Sequence, residues 1–128
     1  MTAWRWIDTD VLMAAHDEQL AEHGGATGIR DRGLFESALA RPQNLAAYGE
    51  PDAAALAAAY AFGIAKNHAF VDGNKRTALV ALEYFLALND FELTADDPQC
   101  VLVILSIASG AFSEDELAAW IRKHMKQP

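Results

Sequence analysis

The apolar residues of this chain recur at spacings of three and four along most of its length, which is the pattern of α-helices packed on a core. The pattern predicts a first helix over residues 8–23, ended by the glycine pair that follows. A short helix is predicted over residues 34–40, because the residue before Pro42 is disfavoured in the helical region. Residues 43–51 are then expected to form a loop, which is longer than most connections in compact domains.

Four more helices are predicted in the rest of the chain, three of them from their composition or their ends. Residues 52–67 are rich in alanine and should allow another helix to approach closely. A helix over residues 99–109 follows an Asp-Asp-Pro start and is ended by a glycine. The last helix begins with Ser113 and Glu116, which are spaced as a capping box.

Between them, residues 77–88 are apolar on almost every side, which predicts a helix that is buried all round. Alanine and leucine dominate the composition, and β-branched residues are scattered. The chain of 128 residues is long enough for one core. We therefore predict an all-α fold in which a single domain, residues 1–128, packs around a buried central helix at about residues 75–88.

The formal net charge of −8 and the dispersed basic residues disfavour sequence-independent binding to nucleic acid, which needs clustered cations. The longest apolar run, residues 100–108, is interrupted by Ser106 and is shorter than the roughly 18 residues of a membrane span. Cys100 is a single cysteine, and the N-terminus does not resemble a signal peptide. We expect a cytoplasmic protein that binds neither nucleic acid nor membrane.

Two histidines, His16 and His23, lie seven residues apart on the first predicted helix. Because no third ligand is near them in the sequence, a metal site is much less favoured than two side chains in solvent. We therefore expect both histidines to face solvent.

The nine residues 68–76, HAFVDGNKR, carry more reactive groups than any other segment. Gly73 and Asn74 are predicted to form the turn into the next helix, whose first backbone amides would then make an anion site. Lys75 and Arg76 lie in that first turn, where the helix dipole disfavours cations. A bound anion would resolve this conflict, so the segment predicts an anionic ligand.

Two further groups of the segment give this anion site a chemistry. Asp72 lies next to the predicted amides, and a carboxylate beside bound phosphates is a common ligand of Mg²⁺. His68 could accept a proton from a hydroxyl group that attacks phosphorus, because imidazole titrates near neutral pH. Phe70 is expected to anchor the loop in the core. Taken singly, these residues are better explained as a helix cap, a turn and solvated charge; their occurrence together favours a site for nucleotide and magnesium.

The segment resembles the motif of the Fic/Doc superfamily, His-Pro-Phe-x-Asp/Glu-Gly-Asn-Gly-Arg before a buried helix. Here Ala69 replaces the proline and Lys75 replaces the second glycine. Both replacements are typical of the death-on-curing (Doc) branch, whose form is His-x-Phe-x-Asp/Asn-Gly/Ala-Asn-Lys-Arg. Residues 28–34 and 37–42 are also similar to the early segment of Doc-like proteins.

The resemblance implies a role for each group in the segment. His68 would be the general base and Asp72 the carboxylate that binds Mg²⁺. The ligands of the ATP phosphates would be Gly73, Asn74, Lys75 and Arg76. Residues 41–48 would form the flap, which in this family holds the target segment by backbone pairing.

Most Fic proteins transfer AMP from ATP to a hydroxyl group, whereas Doc-type toxins transfer the γ-phosphate to a threonine of elongation factor Tu and stop translation. A glycine in place of Lys75 would leave room for phosphates against the backbone. The long cation fills that room, so the nucleotide could bind in the reverse direction and present its γ-phosphorus near His68. The resemblance thus implies the kinase toxin of a type II toxin–antitoxin module.

Many Fic proteins are inhibited by a helix with a Ser/Thr-x-x-x-Glu-Gly/Asn element, which this sequence lacks. The resemblance instead implies a separate, Phd-like antitoxin whose C-terminal segment folds on binding. Two other functions stay open, an AMP transferase and a catalytically silent binding module. Lys75 argues against the transferase, and intact His68, Asp72, Asn74 and Arg76 argue against the silent module.

Overall fold

The computed structural model describes residues 3–127, which contain six α-helices and one pair of very short strands. The predicted all-α class is confirmed. The helices are α1 Thr9–His23, α2 Arg32–Tyr48, α3 Ala53–Asn67, α4 Asn74–Leu88, α5 Asp97–Ser109 and α6 Glu114–Lys123. The strands β1 Glu92–Leu93 and β2 Met125–Lys126 pair antiparallel, with Glu92 opposite Lys126. Within residues 3–127, no helix has both the length and the hydropathy that crossing a bilayer requires.

Helix α3 is the most enclosed element of the fold. Its alanines are small, so α2, α4 and α6 pack closely around it, and Tyr60 in its middle is fully buried. Gly63 lies so close to α2 that an added Cβ would be 3.3 Å from the Cα of Ala38. The predicted close approach of another helix to this segment is thus confirmed.

Helix α4 follows the predicted bounds, but the expectation that it is buried all round is wrong. One face contributes Leu82 and Phe85 to the core, at 1% and 0% exposure. Glu83, Tyr84 and Ala87 lie on its exposed side. The sequence misled here because alanine and tyrosine are tolerated at the surface as well as in a core.

Helix α2 is much longer than predicted, because it continues through Pro42 to Tyr48. The predicted stop at Arg41, the loop over residues 43–51 and the flap over residues 41–48 are therefore wrong for most of their length. Proline cannot supply the amide that would bond to the carbonyl of Ala38. Packing outweighs this loss, because Pro42 is itself buried and Arg41 pairs with Glu114 at the start of α6.

Side-chain caps begin α3 and α6, and the one predicted for α6 is confirmed. Ser113 and Glu116 form the predicted capping box at the start of α6. Asp52 caps α3 by accepting a hydrogen bond of 2.9 Å from the amide of Ala55. The same carboxylate binds the guanidinium of Arg122 at 2.6 and 3.0 Å, which ties the start of α3 to α6.

Segments from both ends of the described chain meet at the C-terminal end of α4. The amide of Arg5 donates to Oδ1 of Asn89 at 2.9 Å, and Nδ2 of Asn89 donates to the carbonyl of Arg5 at 3.0 Å. β1 follows α4 directly and pairs with β2. The loop of residues 68–73 lies at the opposite end of α4, on the way from α3.

Candidate active site

His68 ends helix α3, and its imidazole is exposed. Its backbone is left-handed, with φ 50° and ψ 48°, which is uncommon for a residue other than glycine. Arg30 supports this conformation, because its Nε donates to the carbonyl of His68 at 2.7 Å and its Nη2 to that of Asn67 at 3.1 Å. A guanidinium suits this place, since the last carbonyls of a helix lack helical partners and carry partial negative charge. These hydrogen bonds thereby fix the direction in which the side chain of His68 leaves the end of α3.

The loop after His68 is fastened to the segment before α2. The amide of Arg30 donates to the carbonyl of Ala69 at 2.7 Å, and the amide of Val71 donates to that of Gly28 at 3.0 Å. Phe70 is 1% exposed and packs edge-on against Phe35, with ring centroids 5.4 Å apart. The prediction that Phe70 anchors the loop in the core is confirmed.

Gly73 and Asn74 form the turn into α4, as predicted. Gly73 is left-handed, with φ 75°, and Asn74 is the first residue of α4. The side chain of Asn74 is buried and binds the backbone of Phe70 twice, accepting from its amide and donating to its carbonyl at 3.0 Å each. Since the side chain holds the loop closed, only the backbone amide of Asn74 remains available for the predicted contact with phosphate.

The expectation that His16 faces solvent is wrong, whereas His23 is exposed as expected. His16 is 0% exposed, stacks on Phe70 at a centroid distance of 3.7 Å, and places Nε2 2.8 Å from the carbonyl oxygen of Asp72. The sequence did contain a signal, because His16 lies four residues after Leu12 and four before Leu20, on the buried stripe of α1. The signal is weak because histidine is common at surfaces as well as in cores, so the type of residue does not decide between them.

Asp72 carries an exposed carboxylate at the start of the turn. Its Oδ1 accepts a hydrogen bond of 2.9 Å from the amide of Gly73. Among residues 3–127, no basic side chain lies within ion-pair distance of it. The carboxylate therefore has free lone pairs, which is what a Mg²⁺ ligand requires.

No group of three or more acidic, histidine or cysteine side chains is arranged to hold a metal ion within the described part of the chain. A divalent cation at Asp72 would therefore need most of its oxygens from water and from another ligand. Mg²⁺ keeps several waters and combines one or two carboxylates with substrate phosphates in many sites. The single carboxylate is consistent with that mode of binding.

Lys75 and Arg76 are exposed in the first turn of α4 and form no ion pair with any acidic residue within 3–127. The helix start has no side-chain cap. Its first amides have no helical acceptor and remain available to a ligand. The two cations, the free amides and the helix dipole therefore concentrate positive charge at this helix start, which suits an anion; the anion site itself stays a prediction.

These groups line one cleft of about 590 Å³. His68, Asp72 and the start of α4 form its polar side. Leu79 and the α5 residues Val101, Ile104 and Leu105 form an apolar side. The structure thus brings His68, Asp72, Gly73, Asn74, Lys75 and Arg76 together at one cavity that has both a charged wall and an apolar wall.

Comparison with known proteins agrees with this geometry. Residues 6–86 match the sequence model of the Fic/DOC family, which covers all of the site except the wall formed by α5. The chain is 33% identical over 120 residues to the protein kinase doc of Escherichia phage P1, covering 93% of this chain and 94% of the phage protein. It is 47% identical over 76 residues to the toxin Doc of Mycolicibacterium smegmatis, covering 57% of this chain and 58% of that toxin.

Proposed function

Since the chain belongs to the Fic/DOC family, we propose that it is a Doc-type toxin that transfers the γ-phosphate of ATP to a hydroxyl group of a protein. One observation carries the proposal. A histidine, a carboxylate and two cations, none of the last three in an ion pair within residues 3–127, meet in one cleft at a helix start without a side-chain cap. The similarity to a protein named as a kinase supports phosphate transfer as the reaction.

The polar groups of the cleft each have a task in this proposed reaction. Lys75, Arg76 and the amides of the first α4 turn bind and orient the phosphates. His68 accepts the proton of the target hydroxyl while the hydroxyl oxygen bonds to the γ-phosphorus. The bond from that phosphorus to the β–γ bridging oxygen breaks, and ADP leaves with the electron pair. Asp72 would hold Mg²⁺, which when bound supplies positive charge against the phosphate oxygens.

Lys75 is the residue that favours phosphate transfer over AMP transfer. It is exposed in the first turn of α4 and lines the cleft together with His68. Its side chain occupies the space that a glycine would leave for phosphates against the backbone. A nucleotide excluded from that space can bind with its γ-phosphate toward His68.

The proposed target is a threonine of elongation factor Tu, and modification of that factor would stop translation. This part of the proposal is supported by the Doc form of the motif, with Lys75 between Asn74 and Arg76. The sequence carries no inhibitory Ser/Thr-x-x-x-Glu-Gly/Asn element. Inhibition is therefore assigned to a Phd-like antitoxin, whose C-terminal segment folds on the toxin.

ATP labelled separately at the α- and γ-phosphates, incubated with the protein and elongation factor Tu, tests the reaction. We expect transfer of the γ-label and none of the α-label. Transfer of the α-label would show an AMP transferase, and no transfer of either label would favour a silent binding module. His68→Ala should lose the γ-transfer and retain its thermal unfolding temperature, because the side chain is exposed.

A matched pair of lysine variants tests the part played by Lys75. Lys75→Ala should lower γ-transfer, because it removes a phosphate-binding cation from the cleft. Lys123→Ala removes an exposed lysine of α6 that lies outside the cleft, so its transfer rate should stay close to that of the unchanged protein. Equal rates for the two variants would remove Lys75 from the mechanism.

A further inference from the structure

His16 is buried next to Asp72, the residue proposed to bind Mg²⁺. The imidazole of His16 is fully buried, and its Nε2 lies 2.8 Å from the carbonyl oxygen of Asp72. A carbonyl oxygen can only accept, so Nε2 must carry the proton. Nδ1 is buried without a hydrogen-bond partner among residues 3–127, and the carboxylate of Asp17 is 3.9 Å away. His16 is therefore a buried polar side chain that makes a single hydrogen bond.

A buried histidine with a single hydrogen bond makes the fold less stable than an apolar residue at the same position would. A buried polar atom without a partner loses its hydration and gains no bond in return. Leu12 and Leu20 show that the surrounding stripe of α1 accepts apolar side chains. Another aromatic side chain at position 16 could also stack on Phe70 as His16 does. What a leucine or phenylalanine could not supply is the N–H group directed at Asp72.

Gly25 supports Asp72 from a second direction. A Cβ added to Gly25 would lie 2.9 Å from Oδ2 of Asp72 and 3.1 Å from its Cγ, and also 2.9 Å from Cδ2 of Leu20, closer than real contacts of this kind. The carboxylate thus rests against the bare Cα of Gly25. The neighbouring Gly24 has nothing within 4 Å of the same position, although its φ of 80° is also left-handed. Only the second glycine of the pair makes room for the carboxylate.

We propose that His16 and Gly25 are positioning residues for the carboxylate of Asp72 and thereby set the affinity of the site for Mg²⁺ together with nucleotide phosphates. His16 holds the backbone of Asp72, and Gly25 leaves the space in which its side chain lies. The inference rests on the proposed function, in which Asp72 binds the cation. Groups that orient metal ligands in this way commonly change metal affinity by about 10- to 100-fold when they are replaced.

Two substitutions of His16 separate the hydrogen bond from the packing. His16→Phe keeps an aromatic ring next to Phe70 and removes the N–H group. His16→Gln loses the ring and places an amide N–H near the position of Nε2. Calorimetric titration of the whole protein with ADP, in excess Mg²⁺ and in excess chelator, gives the gain in affinity that Mg²⁺ provides.

We expect this gain to fall about 10- to 100-fold in His16→Phe and to be largely restored in His16→Gln, with ADP affinity in chelator unchanged in both. A residue that only filled space would give the opposite order, since Phe packs more like His than Gln does. Unchanged Mg²⁺ dependence in His16→Phe would overturn the proposal. Nitrogen-15 spectra of the unchanged protein should show the proton of His16 on Nε2, and a proton on Nδ1 alone would also overturn it.

The glycine pair provides a second, independent test. Gly25→Ala and Gly24→Ala both place a Cβ on a left-handed residue, so both carry backbone strain, but only Gly25→Ala collides with Asp72. We expect the Mg²⁺-dependent gain to fall in Gly25→Ala and not in Gly24→Ala. Equal effects would overturn the role of Gly25. If the unchanged protein bound ADP without any dependence on Mg²⁺, the proposed role of Asp72 would fail together with this inference.

Discussion

His68 and His16 both belong to the site, and they use different properties of the imidazole ring. His68 lies at a helix end with its ring exposed to the cleft, where it can exchange a proton with a ligand. His16 is enclosed in the core, where one ring nitrogen donates to the backbone of Asp72 and the ring face packs on Phe70. The sequence distinguished them only in part, because reactivity can be read from a motif, whereas burial depends on what packs against the residue.

Replacing Arg30 tests whether its hydrogen bond to the carbonyl of His68 positions that histidine. We expect Arg30→Ala to lower the rate of phosphate transfer about 10- to 100-fold, because the carbonyl of His68 would lose the donor that fixes its orientation, and a 1 Å displacement at a reacting group can cost that much. Affinity for ATP should change little, since Arg30 lies outside the lining of the cleft. Steady-state kinetics with varied ATP would measure both quantities.

Arg32→Ala is the matched control for this prediction. Arg32 lies two residues away, and its one ion pair within residues 3–127 is with the exposed Glu36, one turn later in α2. Its replacement should leave the transfer rate close to that of the unchanged protein. A similar loss in both variants would point to general disturbance of the loop before α2, and not to the bond with His68.

At the scale of elements, local chemistry predicts the starts of α3 and α6, which are capped by side chains. The capping box of Ser113 and Glu116 and the cap formed by Asp52 are within the reach of sequence analysis, because all their atoms lie within a few residues. The full length of α2 could not be predicted from the sequence. Its continuation depends on the burial of Pro42 and on the pairing of Arg41 with Glu114, which lies 73 positions later.

The cap at Asp52 also joins two elements and makes their packing sensitive to acid. The hydrogen bond from Arg122 lowers the pKa of Asp52 from its ordinary value of 3.8, against a smaller effect of burial. A lowered pKa in the folded state adds stability that is present above about pH 4 and is lost as the pH falls through the lowered pKa. Asp52→Asn keeps an oxygen for the cap and removes this charge.

We therefore expect Asp52→Asn to lower the free energy of unfolding by about 0.5–1 kcal/mol at pH 7, since half-exposed ion pairs are screened by solvent. The difference from the unchanged protein should shrink below about pH 4. Urea unfolding at several pH values measures it, and the same series on Arg122→Gln gives the matching half of a double-mutant cycle. A difference that stayed constant with pH would contradict the ion pair as its source.

At the scale of the whole molecule, one cluster of buried side chains draws on residues from Ile7 to Ile121 and includes members of all six helices in the described chain. The all-α class and the location of the site could be predicted, because composition and one dense motif carry them. Which helix lies innermost could not be predicted from the sequence. Both α3 and α4 are apolar, and only the more extensive packing of neighbouring helices around α3 decides between them.

Leu82 tests whether this cluster unfolds as a unit. It is 1% exposed in the middle of α4, so Leu82→Ala should lower the free energy of unfolding by about 2–5 kcal/mol through the cavity it leaves. Chemical denaturation followed by circular dichroism should still show a single transition. Leu102→Ala on α5 is the control, because that side chain is 65% exposed and its loss should cost far less.

The meeting of the segments around Arg5 and Lys126 at the far end of α4 has a practical consequence. The helix has 15 residues and therefore separates them from the loop of residues 68–73 by about 20 Å. A fluorescent reporter or a surface tether attached through either segment would be held away from the cleft. The protein could be immobilised on a sensor surface by these segments while a large protein target still reached His68.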